Sequence, residues 1–246
     1  MDAPDLLRLP GGLPVPVDDG AASHLPGRAM PALSLPATDG RLVALVALGS
    51  GRTVIYVYPM TGKPGVDLPP GWDGIPGARG CTPESCGFRD HHAELLAAGA
   101  VQVFGLSSQS SEYQREAVDR LHLPFAMLSD ERLALAGALG LPTFTAGGMT
   151  LYRRLTMIVT GRAVEHAFYP VFPPDQQRPA GPGLAAGPLS AWPPRGAPCR
   201  RRAGWHLAWS CRRCAMRHGA NAGPGRRDGA ASLRRSARPC SAVMAS

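Results

Sequence analysis

Apolar segments alternate with amphipathic ones between residues 30 and 170, and this order predicts strands separated by helices. The clearest segment is residues 53–58, which is β-branched, aromatic and apolar throughout. A strand that is buried on both faces has this composition, because neither of its sides meets water. We therefore predict a central strand at 53–58 that ends at Pro59.

Further strands and helices are predicted on both sides of this segment. Runs of β-forming residues predict strands at 32–35, 42–45, 101–106 and 125–128, and a terminal hairpin at 155–159 and 164–168. Capping residues and helical spacing predict helices from Thr82 to about Ala98, from Ser110 or Ser111 to Leu121, and from a cap at Asp130 to Leu139. Strands that alternate with helices and end in an antiparallel hairpin indicate a small α/β domain.

Two flanking regions differ from this domain, which we place at 30–178. Residues 1–29 are interrupted by proline and glycine and are expected to form an N-terminal extension. Residues 179–246 are rich in Arg, Ala, Gly and Pro, and so have little apolar surface to offset the entropy of ordering. We expect a disordered tail there, with a frame-altered coding sequence as a further hypothesis.

The net charge of +8 belongs to the tail. Residues 1–178 hold 14 Lys and Arg against 17 Asp and Glu, whereas residues 179–246 hold 12 Arg against one acid. The basic balance therefore says nothing about the partners of the domain, and no specific nucleic acid is expected. The chain shows no apolar run of membrane-span length and no secretory signal pattern, so a cytoplasmic protein without membrane association is expected.

Two of the six cysteines, Cys81 and Cys86, fall in the domain. Cys81 follows the buried strand and a Gly- and Pro-rich loop, and stands at the start of the second predicted element, a helix. Unpaired N–H groups and the helix dipole favour a thiolate there, and the thiolate is the reactive form of cysteine. Cys81 is therefore the candidate nucleophile.

Cys86 lies five residues after Cys81. In an intact helix this step rises about 7.5 Å and turns roughly 140°, whereas a disulfide needs Cα atoms within about 7 Å and converging side chains. The two thiols can bond only if the first turns unwind, as in a redox switch. The alternatives are two buried structural cysteines, or a zinc site with His91 and His92. Zinc needs four ligands and the domain offers no second pair at suitable spacing, so we expect no metal and no cofactor.

Six fragments stand in the order of one known family: 37–40, 57–59, 80–84, 86–90, 128–130 and 154–158. Together they resemble the peroxiredoxins of the AhpC/TSA-type redoxin family, and the gap between the cysteines is similar to the peroxiredoxin Q (bacterioferritin comigratory protein) branch. The resemblance covers roughly residues 28–172. It implies a thioredoxin-like fold, with a central mixed sheet flanked by helices, and a thiol-dependent peroxidase.

The resemblance also implies roles for individual residues. Cys81 would be the peroxidatic cysteine, which attacks hydrogen peroxide or an organic hydroperoxide and becomes a sulfenic acid. Cys86 would then form an intramolecular disulfide that thioredoxin or a similar dithiol reduces. Arg154 matches the arginine that favours the thiolate and orients the peroxide, although the strand register leaves Arg153 open. A monomer or a dimer is expected.

The sequence departs from the family pattern where a threonine normally precedes the cysteine by three residues. Ala78 stands there, and Thr61 is the candidate replacement if residues 62–79 loop out, covering the site or selecting the substrate. Two other functions stay open: a thiol–disulfide oxidoreductase of the same fold without peroxide turnover, and non-specific binding of nucleic acid by the Arg-rich tail.

Overall fold

The computed structural model describes residue 6 and residues 9–174, so the predicted tail at 179–246 lies outside the described residues, as do its four cysteines. The strands are β1 (Ser34–Pro36), β2 (Leu42–Ala44), β3 (Arg52–Val57), β4 (Ala100–Ser107), β5 (Met127–Ser129), β6 (Thr143–Ala146), β7 (Met149–Tyr152), β8 (Leu155–Thr160) and β9 (Ala163–Phe168). The helices are α1 (Cys81–Asp90), α2 (His92–Ala97), α3 (Ser111–Leu121) and α4 (Ala134–Leu139), with short 3-10 turns at Leu45–Ala47 and Trp72–Gly74.

Five strands form the central sheet in the order β5–β4–β3–β8–β9. The β3–β4 and β4–β5 pairs are parallel, whereas β3–β8 and β8–β9 are antiparallel. The remaining strands pair as two small antiparallel hairpins, β1–β2 and β6–β7. A central mixed sheet with flanking helices is the predicted thioredoxin-like arrangement, which the structure confirms.

Strand β3 lies in the middle of the sheet because successive side chains point to opposite, equally apolar faces. Val54, Tyr56 and Tyr58 enter one core with residues of α1, α2 and α3. Ile55 and Val57 enter the other core, which contains residues of α4 and of the β1–β2 hairpin. The prediction of a strand buried on both faces is confirmed, and it places the start of α1 against the tyrosine side of the sheet.

The long helix predicted from Thr82 to about Ala98 is wrong, since the chain breaks it into α1 and α2. At His91 the backbone leaves helical values, with φ −103° and ψ 9°. Asp and His are weak helix formers, so the local sequence at 90–92 does little to keep the helix continuous. The start of the helix is nearly as predicted, with Gly80 as N-cap and Cys81 as the first helical residue.

The sequence analysis missed the β6–β7 hairpin. Its turn is Gly147–Gly148, and both glycines have positive φ, 54° and 75°. A two-residue glycine turn between short runs that contain Thr, Phe, Leu and Tyr is a hairpin signal that was available in the sequence.

The N-terminal region also differs from the expected extension at 1–29. Leu25 is completely buried, with Ala22 and Met30 beside it in the core. The backbone of this segment bonds to the last hairpin, where Gly27 N–H donates to Val164 O at 2.8 Å. Residues near 22–30 are therefore part of the packed domain, because apolar side chains among the prolines and glycines close the core.

None of the helices in the described part of the chain has the length and apolar composition that a membrane span requires.

Candidate active site

Cys81 is the first residue of α1 and lies at the edge of the tyrosine-lined core. Its residue is 3 % exposed, and it packs in the same cluster as Tyr56, Tyr58 and Phe88. The thiol donates to the Ala78 carbonyl at 3.5 Å, just before the helix. Gly80, the N-cap, has φ 105°, and a Cβ there would collide with Pro174 and with Leu9. Only glycine therefore allows this sharp entry into the helix.

Arg154 is brought to the thiol from the other side of the sheet. It directly precedes β8, and its Nη2 donates to Cys81 Sγ at 3.3 Å. The guanidinium is fixed by carbonyls of the loop, with Nη2 donating to Arg79 O at 3.2 Å and Nε to Gly77 O at 3.4 Å. The neighbouring Arg153 points elsewhere, since its Nε donates to Thr143 O at 3.4 Å. The register that the sequence left open therefore places Arg154, and not Arg153, at the site.

Glu84 forms an ion pair with Arg154 through its Oε2 and the Arg154 Nη1. Both side chains are almost completely buried, at 0 % and 1 % exposure, and the Glu84 Oε1 has no hydrogen-bond partner among the described residues. The sequence analysis did not include Glu84 as a site residue. Its position three residues after Cys81, on the same face of α1, was the available signal.

The electrostatics of the thiol differ from the simple expectation of a favoured thiolate. Burial raises the pKa of Cys81, and the negative charge of Glu84 raises it further. Arg154 and the backbone N–H of Met60 act in the opposite direction and lower this pKa. Burial also raises the pKa of Glu84 to about 7, against the effect of Arg154. The arginine charge is therefore shared between two buried acids, and the protonation of one affects the other.

Thr61, the predicted source of a hydroxyl, is bonded to another partner. It is completely buried, and its backbone N–H and hydroxyl donate to Gln109 Oε1 at 2.9 and 3.2 Å. Among the described residues no hydrogen bond joins this hydroxyl to Cys81, so the prediction of its contact is corrected. The adjacent Met60 N–H interacts with the thiol instead, since Gln109 offers Thr61 a nearer acceptor.

Cys86 lies on the same helix as Cys81 and is half-buried, and both cysteines are free. Two contacts hold the segment between and just after them in the helical state. The rings of Phe88 and Tyr56 stack with centroids 4.1 Å apart, and Tyr56 OH donates to Ser85 Oγ at 3.2 Å. A disulfide between the cysteines therefore requires α1 to leave these contacts.

The loop at 62–79 is anchored at the site. Trp72 packs in a small apolar cluster with Ala146 and Leu151 of the β6–β7 hairpin. At the end of the loop, Arg79 pairs with Asp73 at 3.2 Å, directly before the carbonyls that hold Arg154. This placement matches the expectation that the loop lies over the site.

The zinc alternative gains no ligand cluster. His91 lies 3.1 Å from Glu94, and the His92 ring packs against Phe125 with centroids 5.7 Å apart. Within residues 6 and 9–174 there is no group of three or more His, Cys, Asp or Glu side chains arranged to hold a metal ion.

Comparison with known proteins identifies the family. The profile of the Redoxin family matches residues 25–181, more than half of the chain. A putative peroxiredoxin bcp from Coxiella burnetii is 32% identical over 105 residues, which cover 43% of this chain and 59% of that protein. Peroxiredoxin Q, chloroplastic, from Oryza sativa subsp. japonica is 31% identical over 143 residues, 58% of each chain. The chain thus spans a little under three fifths of the length of these relatives.

Solved structures give a similar set of names. Peroxidoxin BcpB from Mycobacterium tuberculosis is 23% identical, with a TM-score of 0.45 and coverage of 58% of this chain and 84% of that one. Peroxiredoxin Q from Xanthomonas campestris is 23% identical, with a TM-score of 0.43 and coverage of 63% and 84%.

The resemblance seen in the sequence fragments is thereby confirmed by the profile match and by the curated relatives. The chain belongs to the Redoxin family, and its curated relatives are named peroxiredoxin Q or peroxiredoxin bcp.

Proposed function

We propose that this protein is a thiol-dependent peroxidase that reduces hydrogen peroxide and organic hydroperoxides. The observation that carries the proposal is the contact of 3.3 Å between Arg154 Nη2 and Cys81 Sγ at the first turn of a helix. A fixed cation beside a buried thiol stabilises the thiolate, which is the nucleophile. The printed names of the curated relatives support a peroxidase rather than a thiol–disulfide oxidoreductase.

In the first step the Cys81 thiolate attacks one oxygen of the peroxide. The S–O bond forms as the O–O bond breaks, so that the sulfur is oxidised to a sulfenic acid and the second oxygen leaves as water or an alcohol after taking up a proton. Arg154 can stabilise the negative charge that moves onto the oxygens, because its guanidinium is held by the loop carbonyls and by Glu84.

In the second step Cys86 reacts with the sulfenic acid to give a disulfide and water. α1 must unwind first, which breaks the Phe88–Tyr56 stack and the Tyr56–Ser85 hydrogen bond. An external dithiol of the thioredoxin type then reduces the disulfide by exchange and restores both thiols. The cycle needs only the two cysteines and the dithiol, and uses no metal or organic cofactor.

The test is peptide mass mapping after the reduced protein meets one equivalent of hydrogen peroxide. We expect a rapid Cys81–Cys86 disulfide, replaced by sulfenic acid on Cys81 in the Cys86→Ser variant. Cys81→Ser should leave Cys86 reduced over the same time, as the matched control. If both thiols of the unmodified protein stay reduced for minutes while an added low-molecular-weight disulfide oxidises them, the oxidoreductase alternative replaces the proposal.

A further inference from the structure

The geometry points to Arg89 as a positioning residue for the second thiol: we infer that its guanidinium holds the Cys86 sulfur in the form that attacks oxidised Cys81. The inference rests on the proposed function, because it concerns the second step of that cycle. It adds a second arginine with a role separate from that of Arg154, one arginine for each cysteine.

The first observation is the placement of the two side chains. Arg89 follows Cys86 by three residues on α1, so the two lie on neighbouring positions of one helix face. The guanidinium forms a side-chain hydrogen bond with Cys86. Such a bond to an ionised sulfur is stronger than one to a neutral thiol. The contact therefore favours the thiolate over the thiol.

The second observation is that other bonds hold the guanidinium in place. Arg89 Nη1 donates to the Leu121 carbonyl at the end of α3 at 2.8 Å, and Nε donates to Asp90 Oδ1 at 2.9 Å. These partners lie on α3 and at the end of α1, not in the first turns that must unwind. The arginine can therefore stay anchored beside Cys86 while the segment that carries Cys81 leaves the helix.

The third observation is the balance of charges around Cys86, which is half-buried. Burial raises the pKa of Cys86 most, and Asp90 on the same helix raises it further. Arg89 is the largest opposing influence, with Arg120 of α3 acting in the same direction. The phenol of Tyr56 on β3 also faces this thiol. Loss of the Arg89 charge would leave Cys86 protonated to a higher pH.

The reaction requires this thiolate. The Cys86 sulfur attacks the sulfenic sulfur of Cys81, the S–S bond forms as the S–O bond breaks, and the hydroxide that leaves takes up a proton as water. No further oxidant is needed, because the peroxide has already oxidised Cys81. A neutral Cys86 thiol is a much weaker nucleophile, so this step slows as the thiolate fraction falls.

The test compares Arg89→Gln and Arg89→Lys with the unmodified full chain by stopped-flow fluorescence during oxidation by hydrogen peroxide. We expect the first phase, oxidation of Cys81, to be unchanged in both variants. In Arg89→Gln the second phase should slow about tenfold at pH 7 for each unit by which the Cys86 pKa rises, with its pH profile displaced upward. Arg89→Lys should restore most of the rate, and Arg132→Gln, at an exposed arginine outside α1 and α3, should match the unmodified protein.

A second measurement does not depend on peroxide turnover. In a Cys81→Ser background, the pH dependence of Cys86 alkylation by iodoacetamide should shift to higher pH on Arg89→Gln. An unshifted alkylation profile in a variant that keeps its circular dichroism spectrum would overturn the inference. Failure of the first phase in the unmodified protein would instead contradict the proposed function, while the alkylation result would still decide the role of Arg89.

Discussion

Arg154 Nη2 lies 3.3 Å from the sulfur of Cys81, although the two residues are 73 positions apart in the chain. Antiparallel pairing of β3 with β8 brings them together, since Val57 is opposite Leu155. Arg154 therefore lies just past the end of β3, where the chain leaves the sheet for the loop that leads to Cys81. The sheet register fixes the charge at the nucleophile.

Replacement of Arg154 by Met should raise the pKa of Cys81 and slow its reaction with peroxide by about 10²- to 10³-fold, the usual cost of one preorganised donor. The reason is the loss of the charge that lowers this pKa. Stopped-flow oxidation over a range of pH measures both effects. Arg153→Met is the matched control, because Arg153 bonds only to the Thr143 carbonyl by its Nε, and an equal loss in both variants would contradict the assignment.

Replacement of Glu84 by Gln should lower the pKa of Cys81. The negative charge of Glu84 raises that pKa, and glutamine keeps a carbonyl oxygen for Arg154 while removing the charge. The pH dependence of Cys81 alkylation in the Cys86→Ser background should therefore move to lower pH. Glu94→Gln, at an exposed acid on α2, should leave the profile in place. A shift to higher pH in Glu84→Gln would show that the loss of arginine positioning outweighs the removed charge.

Replacement of Phe88 by Leu should speed formation of the Cys81–Cys86 disulfide. The Phe88–Tyr56 stack stabilises the helical state of α1 that must unwind, and such an aromatic pair contributes about 0.5–1.5 kcal/mol beyond its buried area. The free energy of unfolding in urea should fall by at least a similar amount, and disulfide formation can be followed by rapid quenching. Leu95→Val removes apolar contact from α2 in the same core, and should lower stability without faster disulfide formation.

Replacement of Glu165 by Gln should give a pH-dependent loss of stability. Arg52 and Thr160 lower the pKa of Glu165 to about 2, so the folded protein favours its carboxylate. The stabilisation is present above the ordinary pKa of 4.5 and is lost as the pH falls towards 2. Because the pair is partly exposed, the loss at pH 7 should be at most about 1 kcal/mol. Urea unfolding at pH 7 and pH 3 measures it, with Asp67→Asn in the loop as control, and a difference that grows at pH 3 would be the wrong sign.

The strand order and the candidate thiols were predictable because their signals are local. A run of six β-forming apolar residues at 53–58 meets the requirement of a strand with no wet face, and β3 occupies that position. The placement of Cys81 at the start of a helix and of Cys86 five residues later follows from the residues around them. The helical rise between them is a property of the backbone, and it alone implies that their disulfide requires unwinding.

The remaining features were decided by contacts between distant parts of the chain. Only the pairing of β3 with β8 selects Arg154 over Arg153, since a shift of one residue turns a side chain to the opposite face. Glu84 becomes a buried partner of Arg154, and Thr61 is held by Gln109, because tertiary packing presents each polar atom with the partner it meets there.

The sequence by itself therefore determined the elements, the family and the two thiols, through patterns that span only a few residues each. The tertiary structure decided which charges surround each thiol and how deeply each is buried. Burial and charge depend on groups that are remote in sequence and act through space over a few ångströms, so the ionisation of Cys81 and Cys86 is a property of the folded chain.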